Sequence, residues 1–394
     1  MPNPPLSARV HATATPPIPT ARAWAARYDG AAGPMLDLTQ AVPGYPPHPQ
    51  ILARLAEAAG SAAAASYGPI DGDPAFREAV AEDVSRFYGT SFHAADVAIT
   101  AGCNLAFTMA ITVLAGTGDE VLLPTPWYFN HRMALELLGI RTLPFATHAE
   151  NGFIPDPARL EEALTPHTRA VVLVTPNNPT GAVTPPATIA AIAEICRRRG
   201  VWLVLDETYR DFLPADAGAP HRLFSDRGWQ DNVVQLYSFS KSYCVPGHRV
   251  GAVLGGGAFR AELLKVMDSL QICAPRAAQT ALSWAIPGLV EWRNANRALM
   301  QARANAFQHG MRVAPGWTIE AIGTYFAYLR IPDSLGDALS AAERLAAQHG
   351  VLTLPGPFFG PGQERHLRLA FANAPEPALA ILPDRLNALQ RANA

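Results

Sequence analysis

Short apolar runs alternate with amphipathic helical stretches through the middle of the chain. Val97–Thr100, Glu120–Leu123, Ala170–Thr175 and Val201–Leu205 are mainly apolar, and Leu105–Leu114 is amphipathic. Runs that are apolar throughout are typical of strands buried on both faces of a sheet, and helices between them indicate βα units. The pattern therefore predicts an α/β fold with a mostly parallel sheet.

The pattern changes after about residue 285. Arg293–Met311 and Ala338–His349 have the periodicity of helices, whereas Tyr325–Arg330 and His366–Phe371 read as strands around the second helix. Helices and strands mixed in this way predict a small α+β lobe near the C-terminal end.

The length and composition of the chain agree with two lobes. A chain of 394 residues can bury more than one large apolar core, and its 49% hydrophobic and 16% charged residues are typical of a folded globular protein. We expect an N-terminal arm and part of the small domain in 1–47, a large domain in 48–285 and a small C-terminal domain in 286–394.

Charge and cysteine content exclude several classes of function. The formal net charge of −2 and the pI near 6.6 give no sign of a surface for nucleic acid or membranes. No apolar run is long enough to span a bilayer, and the Pro- and Ala-rich N-terminal stretch is unlike a signal peptide. Four scattered cysteines, without metal-ligand spacing, predict the reduced thiols of a cytoplasmic protein and no metal site.

A lysine lies where one of the apolar runs ends. Val233–Tyr237 reads as a strand and passes into a Ser/Gly/Pro loop that contains Lys241. Ser238 and Arg249 flank this lysine and are residue types that hold phosphate oxygens. A lysine beside an anion site can form a Schiff base with a phosphorylated aldehyde, which suggests pyridoxal 5'-phosphate. A solvated loop lysine is the alternative interpretation.

Two other strand ends carry polar side chains. After Thr175, the sequence Asn178-Pro179-Thr180-Gly181 forms a turn whose proline restricts the orientation of Asn178. Asp206 ends the next apolar run, where a carboxylate is costly unless it faces a cation such as a protonated pyridine. An aspartate that only caps a helix is the alternative. Tyr209 follows three residues later.

The junction after Val97–Thr100 contains Gly102, Cys103 and Asn104. A strand–glycine–helix junction exposes backbone N–H groups and the positive end of a helix, which together favour phosphate. One glycine does not decide this by itself, because many βα turns require one.

In order and spacing, these motifs resemble the fold-type I pyridoxal-phosphate enzymes, specifically the aspartate-aminotransferase-like class I/II aminotransferases. The pattern Ser-x-x-Lys-x7-Arg-x-Gly and the Asn-Pro-Thr-Gly tetrad carry the resemblance, which extends from about Asp37 to the C-terminal strand. It implies a large domain with a mostly parallel seven-stranded sheet, a small α+β domain, pyridoxal 5'-phosphate and a homodimer with shared active sites.

The resemblance also implies a role for each motif. Lys241 would hold the cofactor as a Schiff base and move the substrate proton, Asp206 would keep the pyridine nitrogen protonated, and Tyr209 and Asn178 would contact the phenolate oxygen. The other implied cofactor contacts are Gly102, Cys103, Asn104, Ser238 and Arg249 at the phosphate, Tyr128 (with Trp127 second) on the pyridine ring, and Tyr67 from the neighbouring subunit.

Substrate contacts are implied at both ends of the chain. Arg368, within an apolar strand, would hold the substrate carboxylate, although a surface salt bridge is the alternative. Asn178 and Ala41 are the other implied substrate contacts, and Ala41 replaces a glycine that the family often has in a loop near this carboxylate. Asn104 is neutral where some aspartate-specific relatives have lysine, and Arg276 is the nearest candidate cation.

The resemblance implies transfer of an amino group between an L-amino acid, neutral or aromatic, and a 2-oxo acid. Aromatic residues in loops that border the pocket in relatives support this preference: Tyr45, Trp127, Phe358 and Phe359. A lyase, decarboxylase or amino-acid oxidase of the same fold is the alternative, because the cofactor site is shared. A ligand-sensing domain of a transcription regulator is disfavoured, since no basic helix-turn-helix module precedes residue 40.

Overall fold

Two sheets and a short strand pair organise the molecule. The computed structural model describes residues 4–226 and 228–392. In chain order, the strands within these residues are β1 (Leu36–Asp37), β2 (Val97–Thr100), β3 (Glu120–Thr125), β4 (Arg141–Ala146), β5 (Thr168–Val174), β6 (Trp202–Asp206), β7 (Val233–Ser238), β8 (Gly251–Leu254), β9 (Thr318–Gly323), β10 (Phe326–Arg330), β11 (Val351–Leu352), β12 (Leu354–Pro355) and β13 (His366–Leu369).

The helices cover the sheets. In chain order, they are α1 (Ala8–Ala12), α2 (Pro17–Ala25), α3 (Pro49–Ala59), α4 (Ala62–Ala65), α5 (Pro74–Tyr88), α6 (Cys103–Leu114), α7 (Phe129–Leu138), α8 (Pro157–Ala163), α9 (Pro186–Arg199), α10 (Phe239–Ser242), α11 (Gly257–Leu270), α12 (Arg276–Gly288), α13 (Val290–Met311), α14 (Ala338–His349), α15 (Glu376–Ala380) and α16 (Leu382–Arg391). None of the helices in the described part of the chain combines the length and apolar character needed to cross a bilayer.

The large sheet confirms the predicted α/β fold. Its strands lie in the order β2-β8-β7-β6-β5-β3-β4, and β8 alone runs antiparallel to its neighbours. Alternate residues of β5 enter different apolar cores: Val171 and Leu173 face one side, and Ala170 and Val172 face the other. Burial on both faces explains why this run is apolar throughout.

The strand register brings functional side chains to one edge of this sheet. Asp206, the last residue of β6, lies beside Val174 of β5 and Leu236 of β7. The segments with Asn178 and Lys241 follow these neighbouring strands. Carboxyl ends of adjacent parallel strands meet at a common edge, which is where doubly wound sheets bind ligands.

The small domain has the predicted α+β character. β12, β13, β10 and β9 form an antiparallel sheet, and α14 has the predicted bounds. Near the N-terminus, β1 pairs in parallel with β11. Arg385 of α16 is buried and donates hydrogen bonds to the carbonyls of Ala32, Pro34 and Gly350. The N-terminal segment is therefore bound to the C-terminal part of the chain.

Two local predictions require correction. Lys241 lies in the one-turn helix α10 and not in a loop, because the Ser238 side chain accepts a hydrogen bond from the Ser240 N–H and caps that turn. Helix α6 begins at Cys103, two residues earlier than predicted. Gly102 makes this early start possible, since its φ of +92° turns the chain directly from strand to helix.

Helix α14 provides a test of the small-domain core. Leu345 is fully buried, whereas Leu339 of the same helix is 42% exposed. We expect Leu345→Ala to lower the free energy of unfolding of the small domain by about 2–5 kcal/mol, because it removes buried apolar contacts and leaves a cavity. Leu339→Ala is the matched control and should cost less than about 1 kcal/mol. Equal losses in chemical denaturation would contradict this packing.

Candidate active site

A cavity of about 370 Å³ lies at the carboxyl ends of β5, β6 and β7. It brings together side chains that are far apart in the sequence. The residues proposed from the sequence that line it are Ala41, Cys103, Asn104, Tyr128, Asn178, Asp206, Tyr209, Ser238, Lys241, Arg249 and Arg368.

Two of the proposed residues do not line this cavity within one chain. Gly102 lies next to its wall, because a Cβ atom there would overlap the Arg249 guanidinium. Tyr67 is 81% exposed and lines a separate surface groove together with Arg276. The contact of Tyr67 with a neighbouring subunit therefore stays a prediction.

Lys241 projects into the cavity from α10. Its Nζ donates a hydrogen bond of 2.5 Å to the Ala41 carbonyl. Burial, reinforced by the positive charges of Arg249 and Arg368, lowers the pKa of Lys241 to about 8. The unprotonated fraction of this amine near neutral pH is therefore much larger than that of an ordinary lysine, as a nucleophilic or proton-accepting lysine requires.

Asp206 is held by the side chains of Thr208 and His131. Its Oδ1 accepts hydrogen bonds from the Thr208 N–H at 3.1 Å and the Thr208 hydroxyl at 2.7 Å, and its Oδ2 lies 3.2 Å from His131 Nε2. Burial raises the pKa of Asp206, but the hydrogen bonds from His131 and Thr208 outweigh that effect and leave the pKa below its usual value. Asp206 is thus a buried, ionised carboxylate at the cavity wall.

Arg368 is buried without a carboxylate partner. Its Nη1 donates to Asn178 Oδ1 at 3.1 Å and its Nη2 donates to the Thr39 carbonyl, while its Nε has no hydrogen-bond partner. Within residues 4–226 and 228–392, no aspartate or glutamate oxygen lies within 4.0 Å of the guanidinium. Burial lowers the pKa of Arg368 to about 10. These features rule out the surface salt bridge and fit an arginine that binds an external anion.

The start of α6 forms an open backbone cradle. A Cβ atom on Gly251 would lie 2.7 Å from the Cys103 nitrogen, so glycine is needed where β8 passes this turn. Arg249, which has a left-handed φ of +50°, is adjacent to Gly102 on the same side. Backbone N–H groups at a helix N-terminus beside an arginine favour a phosphate group.

Two tyrosines form further parts of the wall. The Tyr128 hydroxyl donates to Asn104 Oδ1 at 3.3 Å, and burial raises the pKa of Tyr128 to about 12. Tyr209 packs against Tyr325 and Phe326, and burial also raises its pKa. Both phenols therefore stay protonated at neutral pH and can donate hydrogen bonds.

No sequence motif indicates several residues that line the cavity or, like His131, lie beside it. Pro16 and Ile18 come from the N-terminal arm, Phe129 and Asn130 begin α7, and His131 holds Asp206 from the same helix. His131 could have been suggested by its position three residues after Tyr128, which is one helical turn. Contacts from the arm depend on tertiary packing.

The prediction that four aromatic side chains border this cavity is wrong. The following four aromatics are absent from the described residues that line it: Tyr45, Trp127, Phe358 and Phe359. Phe358 stacks on Trp24 instead, and Phe359 lies 5.3 Å from the Arg368 guanidinium carbon without lining the cavity. Packing against the N-terminal arm and behind Arg368 explains these positions.

Comparison with known proteins identifies the family. The family model described as aminotransferase class I and II matches residues 33–386. An arginine–pyruvate transaminase of Pseudomonas aeruginosa is 32% identical over 316 residues, or 79% of each chain. An aromatic aminotransferase of Arabidopsis thaliana is 27% identical over 358 residues, covering 89% of this chain and 88% of that protein. The structure of Thermus thermophilus aspartate aminotransferase with maleate has a TM-score of 0.89 and 25% identity, covering 98% of this chain and all of that one.

This chain belongs to the class I and II aminotransferases. The match confirms the predicted family, its fold type and its dependence on pyridoxal 5'-phosphate. The enzyme transfers amino groups between amino acids and 2-oxo acids. The lyase, decarboxylase and oxidase alternatives are not favoured, because the matched relatives are named as transaminases.

The residues of this aminotransferase fit the cofactor. The backbone cradle beside Arg249 suits a phosphate, the ionised Asp206 suits a protonated pyridine nitrogen, and the amine of Lys241 suits an aldehyde. Lys241 and Lys265 are the two lysines of the chain, and Lys265 is exposed and pairs with Glu262. Lys241 is therefore the one lysine at this cavity.

The lowered pKa of Lys241 can be tested in the cofactor-free enzyme. We expect modification of Lys241 by an amine-specific reagent to rise with pH with a midpoint near 8, because burial and two nearby arginines favour the neutral amine. Quantitative peptide mapping follows Lys241 while exposed Lys265 reports the reactivity of the reagent. A midpoint for Lys241 near 10.4, the value of a free lysine side chain, would contradict this environment.

Proposed function

We propose that the aminotransferase reaction takes place in the cavity around Lys241, with Lys241, Asp206 and Tyr209 as its catalytic residues. The observation that carries this proposal is the convergence in one cavity of a deprotonatable lysine, an ionised aspartate and an arginine that has no carboxylate partner among the described residues. We assign contacts with the cofactor phosphate to Gly102, Cys103, Asn104, Ser238 and Arg249. We assign contacts with the pyridine ring to Tyr128, Asn178, Tyr209 and Asp206. The substrate carboxylate is assigned to Arg368 together with Asn178 and Ala41.

In this proposal, each side chain acts through its charge or its proton. The cofactor, when bound, supplies an electron sink for the pair released as the substrate's Cα–H bond breaks. Asp206 stays ionised because Thr208 and His131 hold its carboxylate, so it can face a positively charged ring nitrogen. Nζ of Lys241 accepts the Cα proton as general base and, once protonated, serves as the general acid for the second proton transfer, which goes to a different carbon. Tyr209 and Asn178 donate hydrogen bonds to the ring oxygen.

Covalent attachment tests the role of Lys241. We expect wild-type enzyme treated with borohydride to carry the reduced cofactor on the peptide that contains Lys241. Lys241→Ala should fold, lose this link and lose at least about 10²-fold in turnover, because a general base and attachment point are removed. Lys265→Ala is the matched control, since it removes the second lysine of the chain from an exposed position. Cofactor recovered on any other peptide would refute the assignment.

We further propose a homodimer in which Tyr67 completes the phosphate site of the partner subunit. Tyr67 is 81% exposed in a single chain, and it lines a groove with exposed Leu270 and with Leu105. A large exposed tyrosine beside apolar side chains is typical of a surface that another chain covers. The tyrosine hydroxyl would then donate to an anion outside its own chain.

Hybrid dimers test this arrangement. Lys241→Ala and Tyr67→Ala subunits should each be nearly inactive alone, and mixing them should restore one working site in each hybrid. Random exchange makes half of the dimers hybrids, so we expect about a quarter of the wild-type activity per chain. Each variant carried through the same dissociation and exchange alone is the control. No recovery in confirmed hybrids, or a monomer with full cofactor affinity, would contradict shared sites.

The charges of the cavity favour substrates with a neutral side chain. Its cations are Lys241, Arg249 and Arg368, and all three have assigned partners in this proposal. Arg276 does not line the cavity of its own chain, because its Nε lies 3.2 Å from Asp73 Oδ1. Among the described residues, Asp206 is the one carboxylate at the cavity, and it is already held by His131. Neither acidic nor cationic side chains therefore find a free counter-charge.

Substrate preference tests this charge argument. We expect kcat/KM for phenylalanine or methionine to exceed that for aspartate, glutamate and arginine by about tenfold or more, because an unpaired charge in the pocket costs at least 1.4 kcal/mol. One 2-oxo acid at fixed pH should be used throughout. Arg276→Ala is expected to leave the order unchanged. A lead for aspartate that disappears in Arg276→Ala would show that this arginine binds the substrate.

We also propose the division of the chain into 1–47, 48–285 and 286–394, and a cytoplasmic location. The pairing of β1 with β11 supports assigning part of the first segment to the small domain. Four free cysteines support a reducing compartment.

A further inference from the structure

A second carboxylate, Glu207, is completely buried immediately after Asp206. The Tyr88 hydroxyl and the Gln235 amide both donate hydrogen bonds to its Oε2, and Oε1 lies 3.4 Å from His221 Nε2. Tyr88 ends α5, Gln235 belongs to β7, and His221 lies in the connection between β6 and β7. Three separate parts of the large domain therefore converge on one carboxylate group.

The Glu207 carboxylate stays ionised although it is completely buried. His221 Nδ1 accepts a hydrogen bond from the Leu223 N–H, which leaves Nε2 as the ring nitrogen that faces Glu207 Oε1. Burial raises the pKa of Glu207, but His221, Tyr88 and the more distant Arg210 outweigh it and lower the pKa. Within the described chain, no lysine or arginine nitrogen lies within 4.0 Å of this carboxylate. Such burial is costly for a residue that only fills space.

The position of Glu207 links it to the cavity on the other side of the sheet. Asp206 and Thr208 line the cavity, whereas Glu207 faces the opposite core. The Glu207 N–H donates to the Leu236 carbonyl at 3.0 Å, and Thr208 supplies two of the hydrogen bonds that hold Asp206. Rotation of the backbone of residues 206–208 would move both Asp206 and Thr208 and would therefore change the hydrogen bonds between them. The Glu207 carboxylate prevents such rotation because its own partners belong to other elements.

We propose that Glu207 is a positioning residue that fixes the Asp206 carboxylate for the cofactor from the far face of the sheet. This inference rests on the role assigned to Asp206 under the proposed function. Glu207 does not contact the cavity, and it acts through the backbone of 206–208 and the Thr208 hydrogen bonds. The cluster of Tyr88, His221 and Gln235 forms the rigid support.

Glu207→Gln is the first test, because it keeps the shape of the side chain and removes acceptor capacity. We expect it to weaken pyridoxal 5'-phosphate binding to the cofactor-free enzyme about tenfold. This is the lower end of the loss seen when outer partners of metal ligands are removed. The visible circular dichroism of the bound cofactor should also change, since this signal reports its orientation. Neither readout depends on turnover.

Glu120→Gln is the matched control. Glu120 is also buried in the large sheet, where it accepts hydrogen bonds from Arg141 and Thr165, but it lies at the start of β3, away from the cavity. We expect this variant to lower the melting temperature of the cofactor-free enzyme while leaving cofactor affinity within about twofold. A purely structural role for Glu207 would make both variants behave alike, which would overturn the inference.

A double-mutant cycle with Asp206→Asn separates this inference from the proposed function. Asp206→Asn alone should weaken cofactor binding, and adding Glu207→Gln to it should cost less than about threefold more, because the two residues act as a unit. Unchanged binding by Asp206→Asn would overturn both the role of Asp206 and this inference. Two other outcomes would overturn the inference about Glu207 alone. One is weaker cofactor binding by Asp206→Asn with normal binding by Glu207→Gln, and the other is fully additive losses of affinity in the double variant.

Tyr88→Phe is a second variant that tests the same support of Glu207 if Glu207→Gln does not fold. It removes one hydrogen-bond donor to Glu207 and retains the ring that packs against Phe224. We expect a loss of cofactor affinity of about threefold with the same change in circular dichroism. Wild-type affinity and spectrum in folded Tyr88→Phe would overturn the inference.

Discussion

Positive charge exceeds negative charge around the cavity at the edge of the large sheet, and this imbalance determines which ligands the cavity favours. Lys241, Arg249 and buried Arg368 border one cavity, and Asp206 is the one carboxylate that lines it within the described chain. Burial and then repulsion from Arg249 and Arg368 lower the pKa of Lys241, and burial lowers the pKa of Arg368. Such an arrangement is unfavourable for the free protein, and ligands that carry a phosphate and a carboxylate relieve it. Cofactor and substrate binding are therefore coupled to the electrostatics of the fold.

The fold supplies the geometry that this charge distribution needs. Adjacent parallel strands end side by side, so Asp206 and the segments with Asn178 and Lys241 meet although they are distant in sequence. Gly102 and Gly251 allow backbone N–H groups to approach the same space. The small domain adds Arg368 from β13. Each contribution depends on packing of apolar strands that have no part in the chemistry.

Much of this arrangement could be predicted from the sequence, because its residues follow strongly apolar strands. Lys241, Asp206 and Asn178 were each identified at a strand end, and all three line the cavity. Residues that act through tertiary contacts could not be found in this way. His131 holds Asp206 from 75 positions away, and Pro16 reaches the cavity only because the N-terminal arm packs on the small domain.

In the proposed site, the cavity binds a phosphorylated aldehyde, and its phosphate supplies much of the affinity. Calorimetric titration of the cofactor-free enzyme with pyridoxal 5'-phosphate and with pyridoxal tests it most directly, since the two ligands differ only in the phosphate. We predict a preference of at least about 100-fold for the phosphorylated ligand, and Arg249→Met should reduce it about tenfold or more by removing a charge-assisted contact. Equal affinities for the two ligands in the wild-type enzyme would contradict a phosphate site in this cavity.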